Sequence, residues 1–161
     1  MATNFSLNIG EDISLTLIEE QLLGCNIIYI ERQKVTKKQK IGIDLQTAQT
    51  MMDLSGEVNE IVNKFGDGSV SFIRSYVVNK DAHMKISPCG SSINIDIRRY
   101  SLINGNLVPM KVGVSVPGVY YQDFINGLLE MIQVMLLKLS MKKNVYNLKH
   151  VIELNDVMIL V

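Results

Sequence analysis

Five cationic residues fall within nine positions of this chain. The block spans residues 32–40, contains no acidic residue, and consists of Arg32, Lys34, Lys37, Lys38 and Lys40. Residues 1–31 and 44–60 carry acidic residues and no lysine or arginine. A cationic block between acidic flanks can contact phosphate groups, although lysines at the solvated tip of a hairpin would give the same pattern.

A second group of candidate phosphate contacts lies further along the chain, at Lys85, Arg98, Arg99 and Lys111. Strand alternation places Arg98 on a polar face, whereas Arg99 would point toward the apolar face unless a bulge intervenes. Tyr29 and Tyr100 share the polar-face parity of their strands, so each could stack on a base or pack at the rim of the core. We expect Tyr121 and Phe124 to be helix-packing residues.

The overall charge excludes one class of protein. Lysine and arginine total 16, aspartate and glutamate total 16, and the formal net charge is +0. A protein that binds nucleic acid only through overall positive charge is therefore excluded, whereas a confined basic face is not.

Residues typical of catalytic or metal sites are sparse and scattered. The two cysteines, Cys25 and Cys89, form no Cys-x-x-Cys pattern, and His83 and His150 are isolated. The chain has no glycine-rich phosphate loop and no nucleophile elbow. We therefore expect no enzyme activity, no metal site and no cofactor.

Two segments of the 161-residue chain repeat one pattern. Each has an alternating strand, a connection and a second strand of the form Lys-apolar-Gly-apolar, at residues 28–32 with 40–45 and 95–99 with 111–116. Gly24 or Gly90 precedes each segment at an expected hairpin turn, and Asn104-Gly105 is a strong turn signal. The pattern predicts an α+β protein of two ββββα repeats, over residues 1–66 and 67–144.

Each repeat is expected to end in a helix. The first helical pattern, residues 47–63, is interrupted at Ser55-Gly56, which predicts a kink or a split. The second is so apolar that both its own sheet and another helix must cover it; its main stripe is Tyr121, Phe124, Leu128, Ile132, Met135 and Leu139. Residues 145–161 are predicted to add one or two strands.

The sequence shows no membrane or export signal. The N-terminus lacks a basic region followed by an apolar run, and Asn126, Glu130 and Gln133 interrupt the apolar stretch 124–139. We therefore expect an intracellular protein with no membrane partner. Abundant isoleucine, asparagine and lysine are typical of an AT-rich genome, such as that of a virus or parasite.

Residues 83–139 resemble the positive cofactor four family of transcriptional coactivators, which bind single-stranded DNA. The resemblance lies in Ile95-Asp96-Ile97-Arg98-Arg99-Tyr100, the Asn104-Gly105 turn, Lys111-Val112-Gly113-Val114-Ser115-Val116 and the helical Tyr121. Residues 12–63 match in layout and in Lys40-Ile41-Gly42-Ile43. The purine-element-binding (Pur-type) repeats share the ββββα layout and bind the same class of ligand.

This resemblance implies a whirly-like fold, that of single-stranded-DNA-binding transcriptional regulators. The chain would be an intramolecular pseudo-dimer with its helices packed together. The cations and tyrosines named above would bind the phosphates and bases of single-stranded DNA or RNA. Partners would be the transcription or replication machinery, in a nucleus or a viral replication compartment.

The sequence also departs from the family pattern. Val108 and Val112 stand where the family often has lysines, and Ser101 stands where an aromatic residue is common. These departures and the zero net charge favour a protein–protein scaffold with weak or no nucleic-acid binding, whereas the 32–40 block favours binding. A homodimer through the apolar second helix or the C-terminal tail is a further expectation.

Overall fold

The computed structural model describes residues 4–10, 12–20, 24–66 and 73–159. The strands within these ranges are β1 (Phe5–Asn8), β2 (Ile13–Glu20), β3 (Cys25–Gln33), β4 (Lys38–Ile43), β5 (Arg74–Asn79), β6 (Ala82–Cys89), β7 (Ser92–Ile103) and β8 (Asn106–Pro117). The helices are α1 (Leu45–Asp53), α2 (Ser55–Gly66) and α3 (Tyr121–Ile159), with a 3-10 turn at Gly118–Tyr120.

All eight strands join one antiparallel sheet in the order β1-β2-β3-β4-β8-β7-β6-β5. β4 and β8 meet at its centre, where Lys40 lies opposite Gly113. On each side of this central pair, the strands therefore form a four-strand meander. The mixed α+β class expected from the sequence is confirmed, with an eight-stranded antiparallel sheet and a C-terminal helix.

Alternation along the strands separates two faces of the sheet. Ile28 and Ile30 of β3 and Ile95 and Ile97 of β7 are fully buried on what we call the inner face. The three helices pack on this face, and α1 and α2 contact α3. Residues of opposite parity form the outer face, where side chains are half-buried or exposed.

Helix α1 begins at a side-chain cap. The Asp44 carboxylate accepts hydrogen bonds from the Thr47 backbone N–H at 2.8 Å and from the Thr47 hydroxyl. Partial burial acts to raise the pKa of Asp44, but the Thr47 hydrogen bonds outweigh it and the pKa is lowered. The helical segment then splits at Leu54 into α1 and α2, which confirms the predicted interruption beside Ser55-Gly56.

Helix α3 is buried in its first four turns. Its core-facing stripe matches the predicted one from Tyr121 to Met135, but Leu139 is 47% exposed rather than buried. By length and composition alone, the stretch Gly118–Leu154 could cross a membrane. The first half of that stretch instead packs against α1 and α2 and fills the core.

The strands predicted for residues 145–161 are wrong where the structure describes the chain. Residues 145–159 continue α3, and residues 160–161 lie outside the described ranges. No glycine or proline follows Gly127, so nothing ends the helix.

Two further differences concern the ends of the two predicted repeats. β1 was not predicted, because four residues carry too little periodicity. The strand expected over 69–78 is present as β5 from Arg74 onward. Its first residues, 69–72, lie outside the described residues. Of the predicted boundary segment 64–68, residues 64–66 belong to α2 and residues 67–68 lie outside the described ranges.

The β7–β8 hairpin has the predicted turn and an irregularity in its ladder. Asn104 and Gly105 at the turn both have positive φ, 51° and 80°. Arg98 lies opposite Gly113, but Tyr100 lies opposite Pro109. Residues 110–112 of β8 therefore oppose a single residue of β7, which makes a bulge in β8.

Candidate nucleic-acid interface

One row of cross-strand neighbours crosses the outer face over seven strands. The strand registers place these residues side by side, from β2 to β5: Ser14, Glu31, Lys40, Gly113, Arg98, His83 and Val77. With neighbouring strands about 4.8 Å apart, the row is about 29 Å long. Two of the predicted site residues, Lys40 and Arg98, lie in it on either side of Gly113.

A cluster of charges surrounds Lys40. The Glu31 carboxylate forms ion pairs of 3.2 Å with both Lys38 and Lys40. The Lys40 ammonium also lies 4.2 Å from the centroid of the Tyr29 ring, a cation–π distance. The Tyr29 hydroxyl donates to Glu20 at 3.1 Å. Lys38, Lys40 and Tyr29 are thus together on the outer face, and Glu31 offsets part of their charge.

The electrostatics of Glu31 follow from these two lysines. Burial acts to raise the pKa of Glu31, but the hydrogen bonds from Lys38 and Lys40 are stronger in sum and the pKa is lowered. The carboxylate therefore stays ionised at neutral pH. It holds the two ammonium groups in place and removes one unit of positive charge from the surface.

Arg98 forms its hydrogen bonds within its own β7–β8 hairpin. Its guanidinium makes two hydrogen bonds with the Asp96 carboxylate, at 2.8 and 2.9 Å. It also donates to the backbone carbonyls of Met110 and Lys111, at 3.0 and 3.3 Å. These carbonyls belong to the bulge, so Arg98 fixes the bulge that carries the exposed Lys111.

One aromatic residue of the outer face, His83, was missed by sequence reasoning, and it contacts the predicted Tyr100. The ring centroids of His83 and Tyr100 lie 4.4 Å apart, with the ring planes tilted by 32°. His83 lies in the same strand as Lys85 and on the same face. Strand parity could have assigned His83 to this face, because it is two residues from Lys85.

Lys85 and Lys111 complete the cationic side chains of this face. Neither forms an ion pair with a residue in the described part of the chain. Together with Lys38, Lys40 and Arg98 they place cations on both sides of the β4–β8 junction.

Arg32 and Arg99 do not belong to this surface, and we remove them from the candidate interface. Arg32 bonds the Asp12 carboxylate at 3.0 Å and the Ser115 carbonyl at 2.8 Å, and its side chain is 15% exposed. Arg99 bonds Asp81 at 2.8 Å and the Gly42 carbonyl, and its side chain is 28% exposed. Both arginines have inner-face parity. Through its bond to a carbonyl of the other meander, each one links the two meanders.

Lys34 and Lys37 lie apart from the row, in the β3–β4 turn. Their backbones pair with each other, with N–O distances of 2.9 and 3.3 Å. Both side chains are exposed beyond the end of the sheet. They could lengthen the cationic surface but are not placed among the outer-face residues.

Metal-ligating residues are not clustered within the described ranges. No group of three or more His, Cys, Asp and Glu side chains in those ranges could hold a metal ion. Cys25 and Cys89 are free and exposed.

Comparisons with known proteins identify no family. No protein-family model matches the chain, and no curated protein matches it. Among solved structures, the chain is similar to the crystal structure of WHY1 from Arabidopsis thaliana, with 10% sequence identity and a TM-score of 0.32. The alignment covers 91% of this chain and 92% of that one.

Proposed function

We propose that the outer face of the sheet binds single-stranded nucleic acid, with single-stranded DNA as the preferred ligand. The observation that carries the proposal is the placement of Lys38, Lys40, Lys85 and Lys111 on one face, beside the His83–Tyr100 ring pair. Cations that follow phosphates and rings that stack on bases are the two components of single-strand binding surfaces.

The zero net charge is compatible with this proposal. Glu31 and Asp96 are the acids closest to the cations, and each is engaged by one or two of them. Lys85 and Lys111 are outside these pairs. Binding would therefore depend on a confined surface and would weaken steeply as salt displaces the phosphate contacts.

The test is a fluorescence-anisotropy titration with a labelled oligothymidylate at several salt concentrations. We expect binding at low salt, and a Lys40→Ala/Lys111→Ala double variant to bind about 10-fold or more weakly with a salt slope smaller by about two. A duplex of matched length should bind less tightly, because its bases cannot stack on the protein.

The matched control is a Lys64→Ala/Lys143→Ala double variant. It removes the same charge from α2 and α3, away from the outer face, and should bind like the unchanged protein. Absence of binding at low salt by the folded protein would refute the proposed function. Equal losses in both double variants would refute the outer face as the site.

We also infer that the chain is a tandem of two ββββα repeats related by an approximate two-fold axis. Support comes from the registers, in which Ile28 and Ile43 pair in the first half as Ile95 and Val116 pair in the second. The same correspondence relates Asp12 to Asp81 and Lys40 to Gly113, the two residues that face each other at the centre.

The two arginine contacts fit the same axis. Arg32 donates to Ser115 and Arg99 donates to Gly42, and Ser115 and Gly42 are equivalent in this correspondence. This correspondence from the strand registers differs by two residues from the sequence match of Lys40-Ile41-Gly42 with Lys111-Val112-Gly113. The bulge in β8 accounts for the two extra residues.

An exposed apolar arm favours a second candidate function, a protein–protein scaffold. The end of the β7–β8 hairpin exposes large apolar side chains, namely Leu102, Ile103, Leu107, Met110 and Val112. Leu102 and Leu107 lie opposite each other in the ladder, and exposed apolar neighbours of this kind are typical of an interaction surface. A Leu102→Ser/Leu107→Ser variant that keeps full oligonucleotide affinity but loses a protein partner would support the scaffold role for the arm.

The cellular role we propose follows from the ligand. A binding protein without catalytic activity would act on unpaired strands exposed during transcription or replication, inside the cell. We further propose that the chain is related to the positive cofactor four and Pur-type families. We also propose that its fold is whirly-like and that it is a viral protein.

A further inference from the structure

The second half of α3 presents an apolar stripe that no described part of the chain covers. Leu137, Met141, Val145, Leu148 and Ile152 follow one another at spacings of four, four, three and four residues, and their exposure is between 52% and 62%. This is the spacing of a helix–helix contact. We call these five residues the tail seam.

The tail seam is not a continuation of the core-facing stripe. At 100° per residue, it is centred about 140° around the helix axis from the buried residues Tyr121 to Met135. It therefore faces away from the sheet and from α1 and α2. The body of the protein cannot cover it without a change in the course of α3.

We propose that the tail seam pairs with the tail seam of a second copy of this chain, with the two helices antiparallel. A two-fold axis between Tyr146 and Asn147 places Val145 opposite Leu148, and Met141 opposite Ile152. Every apolar residue between 141 and 152 on the seam then meets another apolar residue. Such self-complementarity is what a two-fold interface requires.

Two charges on one side of the tail favour the antiparallel direction. Lys142 and Glu153 lie about 20° apart around the helix axis, on one flank about 100° and 120° from the centre of the seam. In an antiparallel pair this flank meets its own equivalent, so Lys142 of one copy approaches Glu153 of the other. Lys142 also contacts Glu19 of its own chain, so it would lie between two carboxylates. In a parallel pair this flank would instead meet the opposite flank of the partner helix, so Lys142 would not approach Glu153.

A lipid bilayer suits the tail less well. Residues 138–149 contain Lys138, Lys142, Lys143 and Lys149. Each charge costs a few kcal/mol at the centre of a membrane-spanning helix. The stretch of α3 without these charges is the part that already fills the core.

The first test is the mass in solution, measured by light scattering over a range of concentrations. We expect about twice the chain mass of 18.1 kDa. A Val145→Glu/Leu148→Glu variant should return to 18.1 kDa. A Leu136→Glu/Leu154→Glu control, which places the same charges on the exposed helix away from the seam, should remain at twice that mass.

Several outcomes would overturn the proposal. One is a single-chain mass for the unchanged protein at every concentration, whether or not the protein sediments with phosphatidylcholine–phosphatidylserine vesicles. Another is a seam variant that stays dimeric. Circular dichroism would establish that the seam variant is folded.

The second test fixes the direction of the helices and needs no disruptive substitution. In a Cys25→Ser/Cys89→Ser background, a Met141→Cys variant is mixed with an Ile152→Cys variant under mild oxidation. The antiparallel pair predicts a disulfide between the two variants and little in either alone. Cross-linking of each variant with itself would exclude the antiparallel arrangement.

Discussion

Glu31 determines how much positive charge the outer face presents around Tyr29. It engages both Lys38 and Lys40, which are the two cations nearest the centre of the sheet on the β4 side. Exposed ion pairs of this kind contribute little to stability, of about 0–1 kcal/mol. Their main effect is therefore on the potential that a phosphate would meet.

The Glu31→Gln variant is expected to bind single-stranded oligonucleotides more tightly than the unchanged protein. Removing the carboxylate releases Lys38 and Lys40 for phosphates, so affinity should rise severalfold at low salt and the salt slope should increase by about one. Anisotropy measures both. Glu60→Gln, which removes the carboxylate of the Lys64–Glu60 ion pair on α2, is the matched control and should have no effect.

The lowered pKa of Glu31 predicts a pH dependence with a definite sign. The ion pairs are complete above the ordinary pKa of a free glutamate and are lost as the pH falls through the lowered pKa. Acidification into that range should therefore strengthen oligonucleotide binding and slightly weaken the fold. Glu31→Gln should abolish this part of the pH dependence; if it persists in full, Glu31 is not its source.

The residue types of the site could be predicted from the sequence, but their roles could not. Parity correctly assigned Lys40 and Arg98 to the polar face and correctly doubted Arg99. It could not show that Arg98 donates to carbonyls of a bulge, because the bulge changes the register of the hairpin. It could not show that Arg32 reaches across to Ser115, because these residues meet only where β4 and β8 pair.

At the scale of elements, the bulge in β8 depends on Gly113. A Cβ atom at this position would lie 2.9 Å from the Ile97 carbonyl oxygen and 2.9 Å from the Arg98 guanidinium carbon. The backbone oxygen cannot move without breaking the β7–β8 ladder. Any side chain here would displace both the strand and Arg98.

We expect Gly113→Ala to destabilise the protein by about 1–3 kcal/mol. Gly56→Ala, in α2 with nothing within 4 Å of its Cβ position, should instead stabilise it by about 0.5–1 kcal/mol. Urea denaturation followed by circular dichroism measures both. A neutral Gly113→Ala would mean that the junction at the centre of the sheet tolerates a shift.

The elements themselves were largely predictable, except at the chain ends. In longer strands, such as β2, β3 and β7, the two-residue alternation of apolar and polar side chains is visible in the sequence. The tail did not follow this rule, because residues 145–154 also fit a two-residue alternation over short windows. In the structure these residues continue α3.

At the scale of the whole molecule, Arg32 and Arg99 join the two halves of the sheet. β4 and β8 share a short contact, and each arginine adds a bond from one half to a carbonyl of the other. Each guanidinium is also held by an aspartate of its own half, Asp12 or Asp81. The contact between the halves therefore depends on side chains as well as on the backbone.

Substitution of either arginine by methionine, which keeps much of the length but not the hydrogen bonds, should lower the free energy of unfolding by about 1–3 kcal/mol. Oligonucleotide affinity of the folded variant should stay unchanged, because neither side chain lies on the outer face. Denaturation midpoints and anisotropy separate the two effects. A large loss of affinity with unchanged stability would return these arginines to the binding surface.

The arrangement of the whole sheet could be expected only in outline. Composition and the repeated pattern led to one shared core, but the strand order around the β4–β8 junction depends on contacts between residues about 70 positions apart. No local pattern specifies which edges meet.

The length of α3 also affects how the protein will behave on a sizing column. A 39-residue helix is about 58 Å long, and its last 24 residues extend about 36 Å beyond Met135. A rod attached to a compact body increases friction without adding much mass. Elution volume calibrated against spherical standards would therefore overstate the mass of a single chain, and only a shape-independent measurement can count the copies.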